Sequence, residues 1–240
     1  MNKSPVIRSK ADKIPATIAS YKDCYIPLTL VCTYKGMVLS QDIHLLSVLP
    51  GQVVLQAPQN RLLISLSKSI YLYSRDRLES FKAEVQEVKE GRIVLSNLTT
   101  IGRSWKERIC ERVQPGSTIY ADFHMNKLSI RACIEELSTT GIRLSAYKLF
   151  EKGLSLHRDA IGLLRFRLPN DRIEMSLKAK VIYFKQYEKM VISGVRVYPS
   201  SPQADRLQKY VSIRRNEILQ ELNQKCAEMY EPQKVSDLYF

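Results

Sequence analysis

Short apolar runs separated by turn residues dominate the first half of the chain. These runs fall at residues 28–34, 37–45, 52–57, 62–66, 83–88 and 92–98. Lys35-Gly36 and Glu90-Gly91 stand between neighbouring runs, and glycine is typical of tight turns between strands. Short strands at this spacing indicate a sandwich or a barrel. We therefore predict a β-barrel domain over residues 21–100, after a flexible, aperiodic N-terminal arm over residues 1–20.

A second series of apolar runs follows a polar interruption. Residues 101–116 are mostly polar or charged and end in the breakers Gln114-Pro115-Gly116, which predicts a linker. Beyond it, candidate strands fall at residues 117–124, 128–135, 142–146, 163–168, 173–184 and 190–198. Neither glycine nor proline interrupts residues 173–184, so one long strand is expected there. The pattern favours a second barrel, in tandem with the first.

The C-terminal region changes from strand-like to helical spacing. Ser200-Ser201-Pro202 is typical of a helix start, because serine caps the first turn and proline is tolerated inside it. Leu207, Val211, Ile218 and Leu222 then recur on one helical face that can pack on a barrel. We predict a helix that ends near residue 224, a second domain over residues 117–228 and a tail over residues 229–240.

Charge and cysteine usage narrow the class of partner. The 240 residues carry a net charge of +13, which favours anionic partners such as a nucleotide, nucleic acid or an acidic protein face. The five cysteines form no CxxC and no zinc-like cluster, so no metal is predicted. No run of 18 or more apolar residues is present, and residues 1–20 lack a secretory signal pattern. We expect a cytoplasmic protein without a membrane span.

Two short motifs carry the candidate chemistry. Arg108-Ile109-Cys110-Glu111-Arg112 lies in the linker, and Glu136-Leu137-Ser138-Thr139-Thr140-Gly141 follows 24 residues after Arg112. An arginine fork can hold phosphate oxygens bidentately, and it can also stack on a base or pair with a guanine edge. A carboxylate at position 136 can only accept hydrogen bonds, so it suits a ligand that presents N–H donors. The serine turn offers a hydroxyl and backbone N–H groups, and a glycine at its end permits positive φ and close approach of a ligand.

In this order, ahead of a strand-rich segment and a terminal helix, the two motifs resemble the RxxxR and (D/N)xSxxG motifs of the PilZ family. The resemblance covers residues 103–225, and Glu136 replaces the usual Asp or Asn. It implies a six-stranded barrel followed by a C-terminal helix, and cyclic di-GMP as the ligand. The N-terminal half resembles, by composition, the companion domain of flagellar-brake-type PilZ proteins.

The resemblance also implies site residues. The ligand would be bound by Arg108, Arg112, Glu136, Ser138 and Gly141. Secondary candidates are Arg103, Thr140, Arg143 and Arg196. No catalytic residue, no cofactor and no enzymatic activity are predicted, because no histidine has a carboxylate or serine partner at a telling spacing.

The predicted function is that of a cyclic di-GMP effector. Ligand would order a mobile linker, change the arrangement of the two domains and expose or hide a surface for a protein partner, such as a motility or secretion component. Two alternatives stay open at this point. One is a PilZ-type interaction module that no longer binds the ligand. The other is a basic β-barrel that binds nucleic acid. Nucleic acid is the less favoured partner, because the aromatic residues form no recognisable nucleic-acid motif.

Overall fold

A computed structural model describes residues 16–23, 27–57, 69–74, 79–89, 91–101, 110–125, 128–147, 157–169 and 171–230. The chain divides into two compact units. The second unit comprises Lys35–Met37 and Cys110–Asn223, and the first comprises the other described residues. The predicted strand at residues 62–66 lies outside the described residues, as do residues 102–109 of the linker and residues 231–240 of the tail.

The first unit is built on a seven-stranded antiparallel sheet. Its strands are β1 (Leu28–Tyr34), β2 (Met37–Ile43), β3 (Leu45–Leu49), β4 (Gln52–Gln56), β5 (Ser69–Ser74), β6 (Ser80–Lys89) and β7 (Arg92–Ile101). They lie in the order β2-β1-β5-β6-β7-β4-β3. The two edge strands β2 and β3 are separated in sequence by His44 alone, so the sheet must curl until its edges approach each other. The predicted barrel is thus a curled sheet whose edges are joined through the chain.

The core of this unit contains a helix that the sequence analysis did not anticipate. Helix α1 (Ala16–Asp23) begins inside the segment predicted to be an arm, and Ile18 and Tyr21 are fully buried in the core. The hydroxyl of Tyr21 also donates a hydrogen bond to Glu79. The end of the predicted arm is therefore packed structure, because two apolar side chains one helical turn apart reach the sheet. Strand β3, which follows the predicted run over residues 37–45, and strand β5, whose Ile70 and Leu72 are fully buried, were also missed.

The second unit is a closed six-stranded antiparallel barrel. Its strands are β8 (Tyr120–Met125), β9 (Leu128–Leu137), β10 (Gly141–Tyr147), β11 (Ile161–Arg167), β12 (Glu174–Gln186) and β13 (Met190–Tyr198). They close in the order β10-β13-β12-β11-β8-β9. Alternate residues fill the interior, as Met175, Leu177, Ala179 and Val181 of β12 show by their complete burial. The all-β class, and the six-stranded barrel followed by a helix, are confirmed.

Helix α2 (Ser201–Tyr230) follows the barrel and is six residues longer than expected. At its start the side chain of Gln203 accepts hydrogen bonds from the backbone N–H and the hydroxyl of Ser200, and the first of these is one half of a capping box. The predicted apolar stripe of Leu207, Val211, Ile218 and Leu222 is buried, as expected. The predicted tail differs, because its first two residues still belong to the helix.

The buried stripe of α2 contains one charged residue, Arg214. Its side chain is only 8% exposed. The guanidinium donates from Nε to the carbonyl of Gln114 at 3.0 Å and from Nη1 to Glu217 and Glu221 at 2.8 and 3.0 Å. A buried charge with these partners is satisfied, whereas an unpaired one would be strongly destabilising. Arg214 therefore fixes the helix to the segment that follows Arg112.

The described residues offer neither a membrane-spanning helix nor a metal-binding cluster. None of the helices in the described ranges combines the length and apolar character needed to cross a membrane. Within the same ranges, no group of three or more His, Cys, Asp or Glu side chains has an arrangement that could hold a metal ion.

The turn between β11 and β12 is tied to α2 by a carboxylate, which makes barrel stability pH-dependent. Asp171 accepts from the backbone N–H of Ile173 at 3.0 Å and from Nε of Arg206 at 2.9 Å. The backbone hydrogen bond and then the guanidinium hold the pKa of Asp171 below its ordinary value. A carboxyl group with a lowered folded-state pKa stabilises the fold above its unfolded pKa, and this stabilisation is lost as the pH falls through the folded-state pKa.

We expect Asp171→Asn to lower the melting temperature at pH 7. Its difference in melting temperature from the parent chain should shrink toward zero as the pH falls below 3.8, the ordinary pKa of aspartate. Thermal unfolding between pH 7 and pH 3 measures this. The matched control is Asp205→Asn, which removes an exposed carboxylate of helix α2 and should change the melting temperature little at either pH. A difference that stays the same from pH 7 down to pH 3 would contradict the role given to the ionised group.

Candidate functional site

The candidate site lies on the outer face of the barrel, around strand β10. Ile142 and Leu144 are buried in the barrel interior, so Gly141 and Arg143 face outward. In the register of the ladders, Arg143 lies opposite Glu136 of β9 on one side and Gly194 of β13 on the other. Glu136, a residue of the second motif, and Arg143, a secondary candidate, therefore lie on one surface.

Glu136 lies between two arginine side chains. Its Oε1 accepts from Nη1 of Arg143 at 3.1 Å, and its Oε2 lies 3.8 Å from Nη1 of Arg112. The glutamate side chain is 22% exposed, and both arginines are 40% exposed. At this exposure each pair contributes only about 1 kcal/mol or less. The guanidiniums are therefore held in place but can be recruited by a ligand.

A β-bulge in β9 directs this glutamate outward. Arg143 pairs with Glu136, but the next residue of β10, Leu144, pairs with Ile134, so Glu135 is an extra residue in β9. The side chain of Glu135 accepts from the hydroxyl of Ser145, while that of Glu136 reaches Arg143. Two consecutive glutamates therefore contact outward-facing residues of β10, which strict alternation would not allow.

Arg112 is fastened to the barrel by the residue that follows it. Val113 is fully buried and forms two backbone hydrogen bonds with Leu137, each of 2.9 Å. The linker was expected to be mobile, but at Val113 it is hydrogen-bonded to β9, and the valine side chain is fully buried. Since Val113 pairs with Leu137 in antiparallel register, the backbone of Arg112 is level with Ser138.

The serine turn is closed by its own hydrogen bonds. The hydroxyl of Ser138 donates to the carbonyl of Gly141 at 2.8 Å and accepts from the N–H of Gly141 at 2.9 Å. Ser138 is also buried, with 1% of its surface exposed. In this state the serine shapes the turn and does not present its hydroxyl to solvent. The expected contact of this hydroxyl with a ligand would require the turn to open.

Gly141 differs from the expectation in its backbone. Its φ is not positive; the described glycines with positive φ are Gly36, Gly51 and Gly91. A Cβ added at Gly141 would meet the Val195 carbonyl oxygen at 3.5 Å and Ser138 Oγ at 3.6 Å, which are ordinary contacts. Neither backbone conformation nor internal packing therefore requires glycine at this position.

Cys110 joins the two motifs. Thr139 and Thr140 each have their side-chain oxygen 3.4 Å from the sulfur of Cys110. The middle residue of the RxxxR motif thus contacts the middle of the serine turn. Thr140 also accepts, through its carbonyl, the backbone N–H of Val197 at 3.0 Å, which fixes the turn against β13.

Arg196 extends the basic surface. It is exposed on β13, opposite Gly141 in the β10 ladder and opposite Lys180 in the β12 ladder. Lys180 is paired with Asp159 at 2.8 Å, whereas Arg196 has no ion-pair partner within the described part of the chain. The Nε of Arg143 is buried and also lacks an acceptor among those residues. A buried N–H donor without an acceptor is destabilising, so a ligand that supplies an acceptor would bind favourably here.

Most of the sequence-predicted site residues are brought together. They lie close to one another on β9, the β9–β10 turn, β10, β13 and the segment before β8: Arg112, Glu136, Ser138, Thr140, Gly141, Arg143 and Arg196. Arg103 and Arg108 lie outside the described residues, so their roles stay predictions. Sequence reasoning missed the contacts of Cys110 and the outward bulge at Glu135. The only available signal was the consecutive Glu135-Glu136 pair, which breaks strand alternation.

Comparisons with known proteins give structural likenesses only. No model of a known protein family matches the chain, and no curated protein matches it. YcgR of Escherichia coli, solved in complex with c-di-GMP, is 12% identical with a TM-score of 0.45, covering 87% of this chain and 92% of that chain. The Bacillus subtilis inhibitor of motility MotI/DgrA is 14% identical with a TM-score of 0.40, covering 80% and 97%. The MrkH–c-di-GMP complex of K. pneumonia is 14% identical with a TM-score of 0.42, covering 87% and 94%. With TM-scores below one half, the functional argument depends on the site alone.

Two glycine substitutions should separate a glycine that the fold requires from one that it does not. Gly141→Ala should leave the free energy of unfolding unchanged or raise it by up to about 1 kcal/mol, because the added methyl fits and the unfolded chain loses freedom. Gly162→Ala on β11 should lower it by about 1–3 kcal/mol, because its Cβ would lie 2.4 Å from the carbonyl oxygen of His124. Urea unfolding of both variants measures the contrast, and equal losses would contradict this geometry.

Proposed function

We propose that this chain is a cytoplasmic, non-catalytic receptor for cyclic di-GMP, and that the ligand binds on the outer face of the barrel around Arg112, Glu136 and Arg143. The observation that carries the proposal is the position of one carboxylate between two guanidiniums, beside a glycine turn. The carboxylate can accept the N–H donors of guanine, the guanidiniums can bind phosphate, and the turn that ends in Gly141 leaves room for the ligand on the same surface. This arrangement also agrees with the PilZ resemblance of the two motifs.

The charge of the surface matches that of the ligand. Arg112, Arg143 and Arg196 contribute three positive charges and Glu136 one negative charge, so these residues together carry +2. A cyclic dinucleotide has two phosphodiester groups and carries two negative charges. Arginine binds such oxygens in a bidentate manner, and each charge-assisted hydrogen bond contributes about 1.5–3 kcal/mol. Ligand binding would also give an acceptor to guanidinium groups that are incompletely paired in the free chain.

Glu136 has a double role in this proposal. In the free chain it holds the arginines; in the complex its carboxylate accepts the N1–H and N2 amino hydrogens of a guanine while the guanidiniums turn to the phosphates. The exchange is feasible because the ion pairs that must be given up are exposed and weak. Guanine is favoured over adenine, since adenine offers no N1–H donor to a carboxylate.

Gly141 leaves space for the ligand. The fold itself does not need a glycine there, because φ is ordinary and a Cβ would fit. The missing side chain instead keeps the surface beside Arg196 and Ser138 open to an approaching phosphate or ribose. Arg108, in the same motif as Arg112, is proposed to close over the ligand from the linker.

For signalling, we propose that ligand binding at the Arg112 segment changes the arrangement of the two units and thereby a surface for a protein partner, such as a motility or secretion component. Arg112 is well placed for this because it directly precedes the hydrogen-bonded Val113. Small-angle scattering with and without ligand tests the rearrangement, and an unchanged profile at saturation would contradict it.

Isothermal titration calorimetry with cyclic di-GMP tests the binding proposal. We expect the parent chain to bind with a dissociation constant near micromolar. Arg112→Ala should weaken binding about 10- to 100-fold, because one bidentate phosphate contact is removed. Glu136→Asp should strengthen binding several-fold, because the shorter side chain withdraws from Arg112, the more distant of its two partners.

The matched control is Arg165→Ala, which removes the same charge from an exposed position of β11 and should leave the affinity within about twofold. A folded parent chain that gives no binding heat at high micromolar ligand would contradict the proposal and favour an interaction module without ligand. A salt-sensitive electrophoretic shift with single-stranded nucleic acid, together with no binding heat, would instead favour the nucleic-acid alternative.

A further inference from the structure

One row of residues crosses four adjacent strands on the outer face of the barrel. The paired positions are Glu136 on β9, Arg143 on β10, Gly194 on β13 and Tyr183 on β12. Neighbouring strands are about 4.8 Å apart, so Tyr183 lies about two strand spacings from Arg143. The row therefore continues the candidate site in a direction that the two sequence motifs do not reach.

A second β-bulge places Tyr183 in this row. Val181 pairs with Val195 and Tyr183 pairs with Gly194, so Ile182 is an extra residue in β12. Without the bulge, regular pairing would place Tyr183 opposite Ser193 and on the same face as the buried Val181. The bulges at Glu135 and Ile182 thus occur on the two sides of the Arg143–Gly194 pair, and each brings one further side chain into the same row.

The ring of Tyr183 covers Gly194. A Cβ built at Gly194 would lie 2.2 Å from Cε1, 2.7 Å from Cζ and 2.9 Å from Cδ1 of Tyr183. The ring therefore occupies the place that a side chain at position 194 would take, and it leans toward β10. Tyr183 is still 40% exposed, so the part of the ring that does not contact Gly194 faces solvent.

We propose that Tyr183 is the aromatic platform on which a purine of the bound nucleotide stacks, with Gly194 as the space that admits its ring. This inference rests on the proposed function, because Arg143 and Glu136 supply the polar contacts to the same ligand. A ring held on one side by backbone loses little freedom on binding, so its exposed part is available to a stacked base. Base–aromatic stacking is worth about 1–3 kcal/mol per base, which corresponds to about a 5- to 150-fold change in affinity.

An aromatic ring over a strand glycine can also serve the fold alone, and the substitutions must separate these two roles. Tyr183→Phe keeps the ring, so its affinity for cyclic di-GMP should stay within about threefold of the parent. Tyr183→Leu keeps apolar cover over Gly194 without a ring and should weaken binding at least about tenfold. Gly194→Ala keeps the ring but drives it from its place, and should weaken binding in the same way.

Calorimetry of these variants has a matched control in Tyr120→Leu, which changes another exposed tyrosine of the barrel, on β8 and outside the row. It should bind like the parent chain. If Tyr183→Leu is folded and binds within twofold of the parent, the inference is overturned while the proposed function stands. If the parent chain itself does not bind cyclic di-GMP, both the proposed function and the role of Tyr183 are contradicted.

A spectroscopic readout decides the case in which Tyr183→Leu does not fold. Trp105 is the single tryptophan of the chain, so Tyr183→Trp combined with Trp105→Phe reports on position 183 alone. Stacking on a guanine should quench or shift the emission of this tryptophan on titration with cyclic di-GMP. Unchanged emission at ligand concentrations that saturate calorimetry would overturn the inference.

Discussion

The backbone pairing of Val113 with Leu137 is the interaction on which the candidate site depends. Two hydrogen bonds of 2.9 Å and two fully buried side chains fasten the end of the linker to β9. Arg112 and Glu136 flank this pair, so their side chains meet although 24 positions separate them in sequence. If this pairing were lost, Glu136 would keep Arg143, but Arg112 would no longer be held beside the serine turn.

The closed barrel supplies the second constraint. Alternation along each strand places one set of residues in the core and the other on the surface, and a bulge shifts that alternation by one residue. The bulge at Glu135 brings Glu136 to Arg143, and the bulge at Ile182 brings Tyr183 over Gly194. Both departures from regular strand geometry lie at the same outer surface, where they do not disturb the packing of the interior.

Part of this arrangement could be predicted from the sequence because the responsible signals are local. Apolar alternation predicted eleven strands at or near their observed places, and helical spacing predicted the buried stripe of α2. The motif residues were predicted through their family resemblance. Helix α1 was missed because its eight residues bury only two apolar side chains in the described core, Ile18 and Tyr21, too few for a periodic pattern. Arg214 was missed because a charged residue in an apolar stripe gives no sign of its distant partners.

Local patterns and composition were sufficient for the strand-rich character, the terminal helix, the basic charge and the residue types available to an anionic purine ligand, since none of these requires contacts between distant residues. Three features depend on the folded chain: Glu136 lies between Arg112 and Arg143, the Ser138 hydroxyl is hydrogen-bonded within its own turn, and Tyr183 covers Gly194. Those facts depend on ladder register and on the positions of two bulges. Register is fixed by packing between strands that are far apart in sequence, and no local pattern records it.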